Sequence, residues 1–435
     1  MTGERSMKLD DALRGRIRQA VADGFEAQTT FLQELVRFPS TRGNEQTVQD
    51  HMARAMRARG LVLDRFAMDR QAIEAHPGGG EISELHSEAP IVVGIHRPRE
   101  EAGRSLILQG HVDVVPTGPE DMWSTRPFDP VIKDGWMHGR GAGDMKAGVS
   151  ANLFALDALR AVGLQPAATV YVQSVVEEES TGNGALMTHL RGYKADAALV
   201  PEPAGENLTR ANVGVLWFQF EVRGHPVHVA SMGEGANAID AAYRVVGALR
   251  ELEAKWNEAR LGHPLFAEVE KPINLNLGKI EGGDWASSVP AWCKIDCRIS
   301  ILPGGNAQEA RKEIEACIAD YARQDRFLAN NPPRVTFNGF VADGYELSPG
   351  TEAEEVLGAV HAEVMGRPLK SRLATAYLDS RVYVLFDDIP ALNYGCTAEN
   401  IHSFDERVEL ASVRRITEVM ALFIAEWCGV EALDD

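Results

Sequence analysis

SLILQGHVDVV, residues 105–115, opens on an apolar run and stops on His111 and Asp113. The same shape recurs downstream. ATVYVQSVVEEES (168–180) ends on Glu177, Glu178 and Glu179, and ADAALVPEP (195–203) ends on Glu202. Upstream, APIVVGIH (89–96) is another strand-like run. Helical patterns lie between them, among them KAGVSANLFALDALRAVG (146–163), which closes on glycine. Strands alternating with helices predict a largely parallel sheet covered by helices. Open sheets of that kind bind ligands beyond the carboxyl ends of their strands. Acids and histidines placed there would meet in one crevice. Carboxylates packed so closely repel each other unless a multivalent cation holds them. A metal site, with two metals, is the first expectation.

Two more segments feed that crevice. GRGAGDMKAG (139–148) carries Asp144 in a glycine-rich loop that lets backbone pass close to a ligand, and NYGCTAENIHSFDE (393–406) carries His402. His111 and Asp113, two apart, share a strand face. A histidine ligand commonly passes its other ring N–H to a carboxylate, so Asp113 is expected behind His111. Taken alone, the His-x-Asp pair reads as a solvated strand end and Asp144 as an ordinary loop aspartate. Three adjacent acids at a strand end are more telling. With metals present, one of them binds metal and a neighbour takes a proton from the attacking water.

Outward from this core, residues 8–36 carry apolar positions at helical spacing and predict one or two amphipathic helices. FPSTRGNE (38–45) is a turn cluster whose Ser40 or Thr41 is expected to cap the next helix, EQTVQDHMARAMRARG. Residues 70–90 are glycine-rich and polar and read as a surface loop. The pattern changes near residue 213. VGVLWFQFEVRG, a long amphipathic helix, PINLNLGKIEGG, PAWCKIDCRISI, a second helix and PRVTFNGF follow in turn. Strand–helix–strand–strand–helix–strand matches a ferredoxin-like split βαβ module. Residues 213–340 are therefore read as an inserted domain, leaving 1–212 and 341–435 as one discontinuous catalytic domain.

Composition narrows the function. The chain has 435 residues, enough for two or three domains at ~100–200 residues each. Its 45% hydrophobic and 25% charged content is that of a soluble globular protein. A formal net charge of −19 argues against nucleic acid and anionic lipid as partners. No apolar run reaches the ~18 residues of a membrane span. MTGERSMKLDDALRGRIRQA lacks the apolar core of a signal peptide, so a cytoplasmic location is expected. Five cysteines, an odd and sparse number, fit reduced thiols. Cys293 and Cys297 would share a strand face as small buried hydrophobes, and no cysteine is assigned to the metal.

Over nearly its whole length the chain resembles the two-zinc aminoacylase, acetylornithine deacetylase, succinyl-diaminopimelate desuccinylase and glutamate carboxypeptidase family. The motifs that carry the resemblance occur in order: LVRFPSTRGNE, GHVDVVPTG, PFDPVIKDGWMHGRGAGDMKAG, EEESTGNGA, PEP, GHPVHVA, the VP and CRI of the inserted segment, and IHSFDE. The resemblance implies a zinc-exopeptidase type α/β fold with an inserted lid and dimerisation domain. It implies two divalent metals, zinc first, with manganese or cobalt as alternatives. Asp144 would bridge them, with His111 and Glu202 on one and Glu179 and His402 on the other. Glu178 would be the general base, and Asp113, behind His111, a second catalytic residue. The Asp144–Met145 peptide would be cis.

On the substrate side the resemblance implies that Arg298 grips a substrate carboxylate, with the Gly395 backbone assisting. His228 would reach the active site of a second copy in a homodimer. The chain departs from the family at Ser287, where asparagine is usual, and in ATAYLDSR (374–381), which keeps Asp379 and Arg381 and adds Tyr377 beside the substrate. The expected activity is hydrolysis of an amide C–N bond in a small N-acyl amino acid or related carboxylate. Two alternatives stand beside it: an aminohydrolase or deformylase releasing ammonia or formate from another small amino-carboxylate, aromatic ones included, and a non-catalytic binding protein on the same fold.

Overall fold

The computed structural model describes residues 9–433, so the first eight residues, part of the stretch read above for a signal peptide, lie outside the described residues. Thirteen strands are needed to place the site. They are β1 (Val62–Phe66), β2 (Ile91–His96), β3 (Leu106–His111), β4 (Val170–Val175), β5 (Ala197–Val200), β6 (Leu208–Asn212), β7 (Gly214–Arg223), β8 (Asn276–Gly282), β9 (Trp292–Ile301), β10 (Arg334–Ala342), β11 (Tyr345–Glu346), β12 (Ser371–Ala374) and β13 (Ala391–Tyr394).

Nine of them form the main sheet, in the order β1-β2-β4-β3-β5-β13-β6-β11 with β12 beside β6. The centre is parallel, through β4–β3, β3–β5 and β13–β5. The edges turn antiparallel, at β1–β2, β2–β4 and β13–β6. Every residue of β3 is buried, the pattern of a strand covered on both faces. In β2 the alternation separates those faces. Val92 joins the large cluster with Leu106, Leu108 and Met420, while Ile91 and Val93 join a second cluster with Ile73, Ala185 and Leu186. A fully buried side chain such as Leu108 stabilises the fold by roughly 1.5–3 kcal/mol.

The helices form where the sequence caps them. Asp10 accepts from Leu13 N at 2.8 Å and starts one unbroken helix, Asp11–Val36. It packs with Ala147–Ala161 and Leu410–Cys428. Two local expectations fail. Neither Ser40 nor Thr41 caps the next helix, which begins at Gln46 behind Glu45 without a side-chain cap. Ser40 Oγ instead donates to the Val112 carbonyl at 2.6 Å, a competing backbone partner close to the site. Residues 70–90 are not simply a surface loop. Arg70–Ala75 is a helix capped by Asp69, and His86 and Ser87 are buried against Glu177. A short polar run gave no periodicity from which to read that helix.

Strands β7 to β10 form a separate antiparallel sheet, in the order β8-β9-β7-β10, with helices Ala238–Glu258 and Ala307–Gln324 on one face. This is the split βαβ arrangement. Its helix-covered face holds Phe218, Phe220, Ile295 and Ile299, together with Cys293 and Cys297, both free and buried. Its other face carries Trp217, Gln219, Asp296 and Arg298 and looks into a cavity shared with the main sheet. Among the described residues, no helix is long and apolar enough to cross a membrane.

Candidate metal centre

Each strand end delivers one group. His111 is the last residue of β3, the acid run follows β4, and Glu202 follows β5. Asp144 comes from the loop before helix Ala147–Ala161, and its peptide to Met145 is cis. His402 comes from a loop held by a small sheet in which Arg407–Glu409 pairs with Trp136–His138. The ligand-type atoms converge. His111 Nε2 lies 3.3 Å from Asp144 Oδ1 and 3.4 Å from Glu202 Oε1. His402 Nε2 lies 3.1 Å from Glu179 and 3.5 Å from Asp144 Oδ2. The two oxygens of Asp144 thus face two different histidines.

The three acids of the run have different surroundings. Glu177 adopts φ +62 and turns away from the cavity. It accepts from Ser87 N, Thr181 Oγ and Arg42 Nε at 2.7, 2.6 and 3.3 Å. Glu178 and Glu179 face the cavity. Their backbone N–H groups donate to the Asp113 carboxylate at 3.3 and 3.1 Å. Asp113 therefore fixes the acidic turn more directly than it fixes His111. The His111 Nδ1 partner is the Asp113 backbone carbonyl at 3.0 Å, with the carboxylate at 3.6 Å.

Sequence reasoning missed Glu406. This buried carboxylate accepts from Gly141 N, Gly143 N, Asp144 N and Arg140 Nη1 at 2.6–3.1 Å. It pins the loop that presents Asp144. Gly141 sits at φ +78 with Val114 where a Cβ would be, so this loop needs glycine there. A lone glutamate after His402 gave little sign of this; IHSFDE was its only signal.

The charges are far from their ordinary states. Burial pushes Glu178 well above the carboxylate range, aided by Glu202 and Glu179. Burial likewise takes Glu202 and Asp113 up to about 8. Hydrogen bonds from His111 and His402 overcome burial and hold Asp144 low. His111 Nε2 and Glu202 Oε1 are buried with no hydrogen-bond partner among the described residues. Two histidines, four carboxylates and orphaned ligand atoms fit divalent cations, with three overlapping groups whose atoms lie within 4.8 Å of one another.

The substrate-side residues divide. Arg298 and Tyr377 line the cavity of about 1300 Å³ that opens over the cluster. Arg298 donates to the Thr375 carbonyl and Ser300 Oγ, and Tyr377 donates to Asp379 at 3.1 Å. Gly395 is packed against the Glu202 backbone, where a Cβ would lie 2.1 Å from the Glu202 carbonyl oxygen. His228 is not part of the cluster. It lies exposed on the small-sheet side, where its Nδ1 accepts from Ala230 N.

The sequence and the fold match a known class. The chain belongs to the peptidase family M20/M25/M40, whose family model matches residues 107–426. It is a metal-dependent hydrolase of C–N bonds. It is 29% identical over 365 residues to an N-formyl-4-amino-5-aminomethyl-2-methylpyrimidine deformylase of Halalkalibacterium halodurans, covering 79% of this chain and 84% of that protein. It is 26% identical over 400 residues to a succinyl-diaminopimelate desuccinylase of Acidovorax ebreus, covering 89% of this chain and 94% of that one. Its fold superposes on the di-peptidase Dug1p of Saccharomyces cerevisiae with a TM-score of 0.77 at 16% identity, covering 95% and 98% of the two chains.

Proposed function

We propose that the protein hydrolyses the amide of a small N-acyl amino compound at a two-metal centre. The observation that carries this reading is the placement of Asp144, whose two oxygens face His111 and His402 separately. His111 and Glu202 would hold one ion, Glu179 and His402 the other, with Asp144 between. Zinc suits two histidines among carboxylates, and manganese or cobalt could replace it. Bound there, two divalent cations would acidify water and polarise the scissile carbonyl.

The chain's own groups do the rest. Glu178 is buried beside His111, with its Oε2 3.8 Å from Nε2, and faces the cavity. It takes the proton of the attacking water and returns it to the leaving nitrogen. Asp113 positions Glu178 through the backbone of the acidic turn. Arg298 offers a planar fork to a substrate carboxylate on the far wall, Tyr377 lines the same cavity, and the Gly395 backbone, packed behind Glu202, would assist.

Residues 213–340 act as the lid and as a contact between two copies, while 1–212 and 341–435 hold the metals. Met232 and Trp285, 62% and 72% exposed, stand near the edge strand β8 and support such a contact. Pairing there would bring a second copy's His228 toward this cavity. Light scattering is expected to give the dimer mass; a monomer at micromolar concentration contradicts it. Five free cysteines favour a reducing, cytoplasmic setting.

A second reading keeps the centre and changes the substrate: a deformylase releases formate from a formamide, and an aminohydrolase releases ammonia from another C–N bond. Similarity to the pyrimidine formamide deformylase and the aromatic Tyr377 favour it. The test is a panel of N-acetyl, N-succinyl and N-formyl amino compounds on metal-reconstituted protein, reading amine, ammonia and carboxylate together. Amine and carboxylate in equal amounts are expected. Ammonia without a carboxylate product overturns the amide reading, and binding without turnover of any compound overturns catalysis.

A further inference from the structure

The cavity extends well past the metal cluster, and its far wall is built for a shape the cluster alone does not require. Trp217 on β7, Phe340 on β10 and Tyr377 after β12 form one patch of rings. The Trp217 and Phe340 centroids lie 5.3 Å apart, edge to face, and those of Phe340 and Tyr377 lie 4.4 Å apart. With Val215 and Ala342 these rings make a cluster of their own, outside both large cores. All three line the cavity.

A polar array adjoins the rings on the same sheet face. Gln219 Nε2 and Asn338 Nδ2 both donate to Asp296 Oδ1, at 2.8 and 3.2 Å. That leaves the second Asp296 oxygen and the two amide oxygens as acceptors on the wall. Arg298, two residues along β9, adds a cation at the rim of the same array. Aromatic side chains next to a row of acceptors match a flat ligand whose edge carries N–H donors. An aliphatic chain would use neither feature, and a carboxylate placed at Asp296 would be repelled.

We propose that this wall is a subsite for a planar, amino-substituted ring on the amine side of the scissile amide. The ring packs against Trp217, Phe340 and Tyr377, and its N–H groups donate to Asp296. Arg298 remains for a carboxylate carried beyond the ring. The inference rests on the amide reading above, and its test separates the two.

The test uses metal-reconstituted full-length protein and three amines of similar size: an aminopyrimidinyl-methylamine, benzylamine and cyclohexylmethylamine. Calorimetry measures binding of the free amines, and turnover is measured on their N-formyl derivatives. The aminopyrimidine is expected to bind at least tenfold more tightly than the cyclohexyl amine. Trp217→Leu and the isosteric Asp296→Asn should each reduce that ratio severalfold, with thermal unfolding unchanged for Asp296→Asn. Equal affinity for the three amines, or a ratio untouched by both variants, overturns the subsite even if all the formamides are hydrolysed. Ring-selective binding without hydrolysis of the formamides or of the matching N-acetyl and N-succinyl amides overturns the amide reading and leaves the subsite standing.

Discussion

The two walls of the cavity are built on opposite plans. On the main sheet, chemistry is concentrated at strand ends: His111 closes β3, and Glu178, Glu179 and Glu202 lie in the short turns just after β4 and β5. On the small sheet, recognition is spread over a face, and residues distant in sequence meet by register. Gln219 faces Asp296 and Trp217 faces Arg298 across the β7–β9 pair. Concentrated charge is conspicuous in a sequence because it is costly without a cation. A polar sheet face is not, because alternation of polar and apolar residues is what any half-covered strand shows.

The two largest expected effects test the first wall. Glu178→Gln should lower kcat by about 10²–10⁴-fold, the range for a general base, with metal content per chain unchanged by elemental analysis. Near wild-type turnover would remove Glu178 from that role. Next is metal removal. Chelation should abolish turnover and lower the thermal midpoint, since ions bound at about 100 times their Kd add about 2.7 kcal/mol to stability. Zinc, manganese or cobalt should restore both. A chelated protein that keeps its activity would break the comparison at its root.

Two smaller effects sharpen it. Glu406→Gln keeps the shape but loses the carboxylate that receives three backbone N–H groups and Arg140. Metal affinity should fall by about 10–100-fold, as when a partner behind a ligand is lost, while KM at saturating metal moves little. Competition with a chromogenic chelator measures this. Arg298→Lys, on the second wall, should raise KM for a carboxylate-bearing substrate by about tenfold and leave kcat nearly unchanged, because the bidentate fork is lost and the charge kept. A fall in kcat with constant KM would move Arg298 from binding to chemistry.

The same contrast explains what the sequence disclosed. The parallel centre of the main sheet and the split βαβ order were legible, because β3, β4 and β5 are mostly apolar runs and β7 and β9 alternate. His111, the acid run and Glu202 were legible for the same reason, whereas Asp144 and His402, on loops, were legible through the motifs that carry the family resemblance. Glu406 was not, because its partners are backbone N–H groups that any loop contains. The helix Arg70–Ala75 and the burial of His86 were not, because that stretch is polar and its order comes from partners far along the chain: Ile73 packs with Ala185 and Leu186, and His86 meets Glu177. The failed cap at Ser40 shows a local rule overridden by a tertiary partner, the Val112 carbonyl.

The most direct test of the two-metal claim is a crystal structure of zinc-reconstituted protein with diffraction collected on both sides of the zinc edge. Two anomalous peaks per chain are predicted, one beside His111 and Glu202 and one beside Glu179 and His402, with Asp144 touching both. A single peak, or two peaks that do not share Asp144, would contradict the account.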